Sequence, residues 1–155
     1  MRRFALPFLA ALLLAGAARA ESRFGADEAG VRAAVEDYFW GRQNGDRDRL
    51  ARGMMLEGGD LKGVAEKDGK EVLTQTPMAD YAGLNTRPRG LPTEARLQAV
   101  DIVDGRMAWV KLRLEAADRD ITDYLLLYKI DGAWKIVNKM WTTHPKPREG
   151  APAAR

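Results

Sequence analysis

Apolar residues recur at Val31, Ala34, Val35, Tyr38 and Phe39, the spacing of one face of an amphipathic helix. Asp27 stands where an N-cap carboxylate accepts a bond from the first turn, and the stripe predicts a helix running to about Gly41 or Arg42. Asn44-Gly45 ends it, and Asp46 reads as the N-cap of a second, shorter helix reaching Met54 or Met55. Asp68-Gly69, between "LKGVAEK" and "KEVLTQT", signals a hairpin. Its strands are polar and contain Gly63, so they are expected to be short and at an edge. Met78 to Leu84 fits one or two helical turns, and "NTRPRGLPTE", with two prolines and a glycine, reads as a loop.

The pattern then changes to period two. Strands are predicted over Arg96–Val103, Met107–Glu115, Ile121–Ile130 and Trp134–Trp141. Asp104-Gly105, "AADRD" and Asp131-Gly132 separate them. No internal repeat is visible. Helices first and meandering strands afterwards define an α+β chain whose helices cover one face of a curved sheet.

The first twenty residues have another character. "MRRFALPFLAALLLAGAARA" has a basic start, an apolar run from Phe4 to Ala15 and an Ala18-Arg19-Ala20 cleavage pattern before Glu21. That is the layout of a secretory signal peptide, and the run is short against the roughly 20 residues of a membrane span. The expectation is a leader over 1–20, removed during export by the general route in preference to the twin-arginine one. A polar lead-in over 21–27 follows, and the product is periplasmic or secreted. Membrane contact is then limited to the leader before cleavage. The leader holds Arg2, Arg3 and Arg19 and no acid. Taking those three from 25 basic residues leaves 22, against 22 acidic ones. A near-neutral mature chain offers no basic surface for nucleic acid. With no cysteine, stability must come from a packed core without disulfides, and thiol chemistry is excluded. The Pro-rich tail over 144–155 has little to bury and is expected to be disordered.

"VRAAVEDYFWGRQNGDRDRLARGM" and, more specifically, "DYLLLYKIDGAWKIVNKMW" resemble the nuclear transport factor 2-like superfamily. Within it they resemble the group named putative lumazine-binding proteins. The resemblance covers about residues 28–143. It implies a cystatin-like cone, a curved antiparallel sheet wrapped around the N-terminal helices with a pocket at the wide end. The superfamily includes ketosteroid isomerase, polyketide cyclases and dehydratases, and members that only bind or assemble. Fold alone therefore leaves function open.

Alternation assigns residues to faces. In the last strand the set Trp134, Ile136, Asn138 and Met140 is expected to face the helices and pocket. Tyr124, with Leu126 and Tyr128, is expected to do so in the strand before. The opposite face then holds Trp109, Leu125, Leu127, Val137 and Trp141 among Lys and Arg. An apolar patch rimmed by charge marks an interface, and superfamily members often dimerise through the sheet, so a homodimer is expected. Lysine and arginine stems covering the same patch in a monomer is the other reading.

Tyr38, Asp60, Tyr124 and Asn138 are the pocket candidates. They form no matched acid–base pair, and each also fits a buried polar residue with a satisfied partner. Asp123 is read as a cap or turn residue at its strand start. His144 is the only histidine, placed where the ordered fold is expected to end, so no catalytic residue is assigned. One histidine and no cysteine argue against a metal site, Asp46-Arg47-Asp48 reading as a solvated helix start, and no glycine-rich phosphate loop follows a strand. No cofactor is expected. The leading expectation is an exported protein holding a small apolar or aromatic ligand, or serving as an accessory. An isomerase, cyclase or dehydratase with a pocket carboxylate and tyrosine is the first alternative. A dimerisation module in an envelope assembly is the second.

Overall fold

The computed structural model describes residues 8–89 and 93–146, with side chains over 25–89 and 94–146. Two helices, α1 (Phe8–Asn44) and α2 (Arg47–Gly53), precede the hairpin β1 (Asp60–Lys67) and β2 (Lys70–Pro77). A short helix α3 (Met78–Leu84) follows. Then come β3 (Thr93–Val103), β4 (Met107–Ala116), β5 (Arg119–Ile130) and β6 (Ala133–Pro145). The six strands form one open, curved sheet in the order β2-β1-β6-β5-β4-β3. All neighbours are antiparallel except β1 and β6, whose parallel pairing joins the hairpin to the four-stranded meander. The class is α+β, as the residue pattern predicts.

Turn chemistry sets much of this. Asp68-Gly69, Asp104-Gly105 and Asp131-Gly132 all adopt positive φ in both residues, the backbone that tight hairpin turns require and that Asp-Gly tolerates well. Gly45, at φ 67°, ends α1, and the Asp46 carboxylate accepts a bond from Arg49 N at 2.9 Å to start α2. Lys135 Nζ donates to the carbonyls of Ala51 and Arg52, closing the last turn of α2 against β6.

The helical stripe is the core stripe. Val31, Ala34, Val35, Tyr38 and Phe39 are all buried. They pack with Leu50 and with Ala108, Val110, Leu112 and Leu114 of β4. Leu125 and Leu127 of β5, with Trp134 and Ile136 of β6, complete the inner layer.

Several expectations need correction. The α1 backbone runs back to Phe8, through the segments read as leader and lead-in, so Asp27 caps nothing. Its buried carboxylate instead accepts bonds from Lys129 Nζ at 2.6 Å and Trp134 Nε1 at 3.3 Å, tying α1 to β5 and β6. The strands of the first hairpin are eight residues each and not short, although β2 does lie at an edge. The last strand continues through His144 to Pro145 because those residues pair with Asp120 and Arg119. The remainder of the expected tail, 147–155, lies outside the described residues. Among the described residues no helix is long and apolar enough to cross a membrane.

Candidate functional site

One end of the sheet is not filled by side chains. A cavity of about 310 Å³ opens between the end of α1, α3 and the inner faces of β1, β5 and β6. Its polar floor comes from three elements. Tyr38 reaches it from the core stripe of α1, Asp123 from β5, and Lys139 from β6. Tyr38 Oη donates to Asp123 Oδ2 at 2.8 Å. Lys139 Nζ lies 3.0 Å from Asp123 Oδ1, an oxygen that makes this ion pair and no directed hydrogen bond. Asp123 is 0% exposed and Lys139 6%. The ammonium also sits 4.3 Å from the centre of the Trp141 ring, within cation–π range.

A β-bulge brings Lys139 inward. Leu126 pairs with Asn138 and Leu127 with Ile136, so Val137 is an extra residue in β6. Two residues now oppose one, and every side chain beyond the bulge changes face. Lys139 and Trp141 turn in. Asn138 and Met140 turn out.

Burial sets the electrostatics. It raises the Tyr38 phenol well above its ordinary value of 10.0, with the Asp123 charge adding to the rise. Tyr81 of α3, also lining the cavity, is raised by burial while the nearby Arg42 and Arg89 pull against the rise. Burial lowers the Lys139 ammonium from 10.5, and Asp123 opposes that fall. Both phenols are therefore neutral hydrogen-bond groups near pH 7. Arg42 from the end of α1 and Arg89 beyond α3 complete the charged lining, in which Asp123 is the single carboxylate. Leu61, Leu84, Leu114, Ile121 and Trp141 supply apolar wall. A wider groove of about 570 Å³ runs between α1 and β3, but no buried charged side chain lines it.

Of the pocket candidates, Tyr38 lies in this cavity. Asp60 and Asn138 do meet, but on the outer face of the sheet. The Asp60 carboxylate accepts bonds from Asn138 Nδ2, from Lys62 Nζ at 2.8 Å and from Gln75 Nε2 at 2.5 Å. It is saturated there and does not line the cavity. Tyr124 also points outward, exposed beside Leu126 and Tyr128. The expected faces of β5 were thus reversed. Leu125 and Leu127 are core residues at 0% exposure, Trp141 lines the cavity, and Val137 is the bulge residue. Trp109 alone of that set stands on the open outer face, its Nε1 3.2 Å from Asp101 Oδ2. His144 is exposed and does not line the cavity.

Sequence reasoning missed Asp123 and Lys139 as site residues, along with Arg42, Tyr81 and Arg89. A signal existed for Asp123. A two-residue Asp131-Gly132 turn pairs Ile130 with Ala133, which places Leu127 beside Ile136. Asp123 shares the parity of Leu127 and so faces the core. No residue marks the bulge that turns Lys139 inward.

An open, curved α+β sheet over N-terminal helices, with a polar-floored cavity at one end, defines a protein of the nuclear transport factor 2-like class. The chain belongs to the family described as "Putative lumazine-binding", which matches residues 26–142. A nuclear transport factor 2-like protein of unknown function from Shewanella baltica OS155 superposes with a TM-score of 0.67 at 22% identity. That match covers 79% of this chain and 98% of that one. A similar protein of unknown function from Methylobacillus flagellatus KT gives 0.63 at 23% identity, covering 77% and 93%. A ketosteroid isomerase-like protein from Erwinia carotovora atroseptica SCRI1043 gives 0.55 at 13%, covering 74% and 94%. At these identities the likeness is one of fold. No curated protein matches the chain. Among the described residues no group of three or more His, Asp or Glu side chains could hold a metal ion.

Proposed function

We propose that the chain is an exported small-ligand-binding protein that pairs with a second copy through the outer face of its sheet. The observation that carries ligand binding is the open cavity floored by Tyr38, Asp123 and Lys139. Burying a lysine–carboxylate pair costs desolvation that a packed apolar end would avoid. Concave, mostly apolar sites with a few placed polar groups are the usual form of ligand pockets. The cavity is small for its type, so the ligand is small. An assembly module would fill this end with side chains, and the open cavity argues against that reading.

Pairing is supported by the outer face. Trp109, Tyr124, Leu126, Tyr128 and Met140 are exposed large side chains there. Cross-strand pairing sets Trp109 against Leu126 and Tyr124 against Met140, so they form one patch. Lys111 and Arg113 rim it on the same strand face as Trp109. Export is supported by the leader-like 1–20 segment.

One observation favours an isomerase or dehydratase as a second reading: a carboxylate and a tyrosine do meet in the cavity. Against it, Lys139 and Tyr38 each hold one oxygen of Asp123, so a substrate proton would have to compete with a cation and a hydroxyl for that carboxylate.

Native mass spectrometry of the protein purified from its own host tests all three elements. The expected mass is two chains beginning at Glu21 with a small molecule retained. A chain that keeps its first twenty residues sinks export, a bare monomer sinks pairing, and an empty protein that binds no small molecule added afterwards sinks the ligand reading.

A further inference from the structure

The cavity holds more positive charge than its architecture uses. Arg42, Arg89 and Lys139 line it against the single carboxylate Asp123. Asp123 is committed to Lys139 and Tyr38. Among the described residues, neither arginine has a carboxylate in ion-pair contact. Arg89 Nη2 donates to Asn85 Oδ1 at 2.8 Å, a neutral acceptor. Arg42 is more sharply placed. It is 9% exposed, and its buried Nη1 has no hydrogen-bond partner. A buried guanidinium nitrogen without an acceptor is costly, and water or a ligand oxygen must meet it.

Resting on the ligand-binding reading above, the geometry points to an anion as the ligand: a carboxylate or phosphate that meets Arg42 Nη1, carried on a flat apolar body held by Trp141 and Leu84. The surplus of two positive charges in the lining selects the sign. A guanidinium is suited to either oxyanion, since its planar fork matches both. Tyr81 and Lys139 line the same cavity as the arginine and carry O–H and N–H donors, which a neutral apolar molecule leaves unused. Trp141 and Leu84, both partly open to solvent, supply apolar lining, so the remainder of the molecule is apolar. The cavity of about 310 Å³ limits it to one or two rings.

Titration calorimetry with benzoate and phenyl phosphate, against benzamide as the neutral isostere, tests this on the full chain. At least one of the two anions is expected to bind tenfold or more tightly than benzamide, and to weaken as salt is raised. The better of the two tells carboxylate from phosphate. Arg42→Met is expected to lose tenfold or more for the anion and markedly less for benzamide, with Arg42→Lys recovering part of the anion loss. Should Arg42→Met fail to fold by circular dichroism, Arg89→Met at the exposed side of the cavity carries the same comparison. Benzamide binding as well as the anions overturns the anion assignment and leaves the ligand-binding reading standing. An unchanged anion affinity in a folded arginine variant does the same. If none of the three binds, the molecule retained by host-purified protein decides: an anion supports the assignment, a neutral molecule overturns it, and an empty protein sinks both readings.

Discussion

Lys139 Nζ lies 3.0 Å from Asp123 Oδ1 where both side chains are almost wholly out of water. Neither charge is tolerable there alone. Asp123→Asn strands an ammonium, and Lys139→Met leaves the carboxylate with only the Tyr38 hydroxyl. Each single change is expected to cost about 3–5 kcal/mol. The double variant is expected to cost less than the sum, because an uncharged pair removes the orphan. Urea unfolding of the four proteins measures the coupling. Additivity to within about 0.5 kcal/mol would show that the two charges do not depend on each other.

Gly63 of β1 and Trp141 of β6 are in contact across the inner face. A Cβ at Gly63 would fall 2.7 Å from the indole Cη2 and Cζ2. The indole cannot retreat freely, because its ring sits over Lys139. Gly63→Ala is therefore expected to cost about 1–3 kcal/mol by overpacking and to disturb the cavity wall. Gly63→Ala with Trp141→Phe is expected to recover part of that cost, since the smaller ring clears the methyl. Thermal unfolding of both variants checks it. A Gly63→Ala protein as stable as the parent contradicts the close approach.

The Tyr38 phenol titrates above its ordinary 10.0 because burial and Asp123 both disfavour the phenolate. A raised folded value means that the native chain holds the proton more tightly than the unfolded one. The resulting stability is fully present below pH 10 and is lost as pH rises through the folded value. Lys139 works the other way, since its lowered value lets stability rise with pH below 10.5. Comparing parent and Tyr38→Phe cancels the lysine contribution in first order. The parent is expected to lose more stability than Tyr38→Phe between pH 9 and pH 11, measured by urea midpoints. Equal losses would show that Tyr38 ionises as an exposed phenol does.

Local chemistry made the elements legible. The α1 stripe, the Asp46 cap and three Asp-Gly turns depend on neighbours within a few residues, and each formed where expected. The faces of the last strands depend on longer relations. Strand β5 carries apolar side chains on both parities, because Tyr124, Leu126 and Tyr128 cover the outer surface while Leu125 and Leu127 fill the core. Hydropathy alone cannot rank two such faces. Only the pairing across Asp131-Gly132 does. The bulge at Val137 has no local mark, so Asn138 and Lys139 exchange roles without notice in the residue pattern. The site suffered most, because Asp123, Lys139 and Arg42 converge from three elements far apart in the chain.

Leu126 lies near the middle of the outer patch, paired with Trp109 on one side and Asn138 on the other, and is 46% exposed. Its side chain touches the core layer little, so Leu126→Lys is expected to change the stability of a single chain by no more than about 0.5 kcal/mol. In a pair of chains the same lysine would sit at the centre of a desolvated contact, where an unpartnered charge is costly. Leu126→Lys is therefore expected to convert a dimer into a monomer in sedimentation at micromolar concentrations. Leu73→Lys serves as the control. Leu73 is more exposed still, at 72%, but lies on edge strand β2, away from the patch, and its lysine variant is expected to remain a dimer. A Leu126→Lys protein that still sediments as two chains would move the contact off this face. A parent chain that sediments alone would leave Trp109, Tyr124 and Tyr128 covered by the stems of Lys111 and Arg113 and not by a second copy.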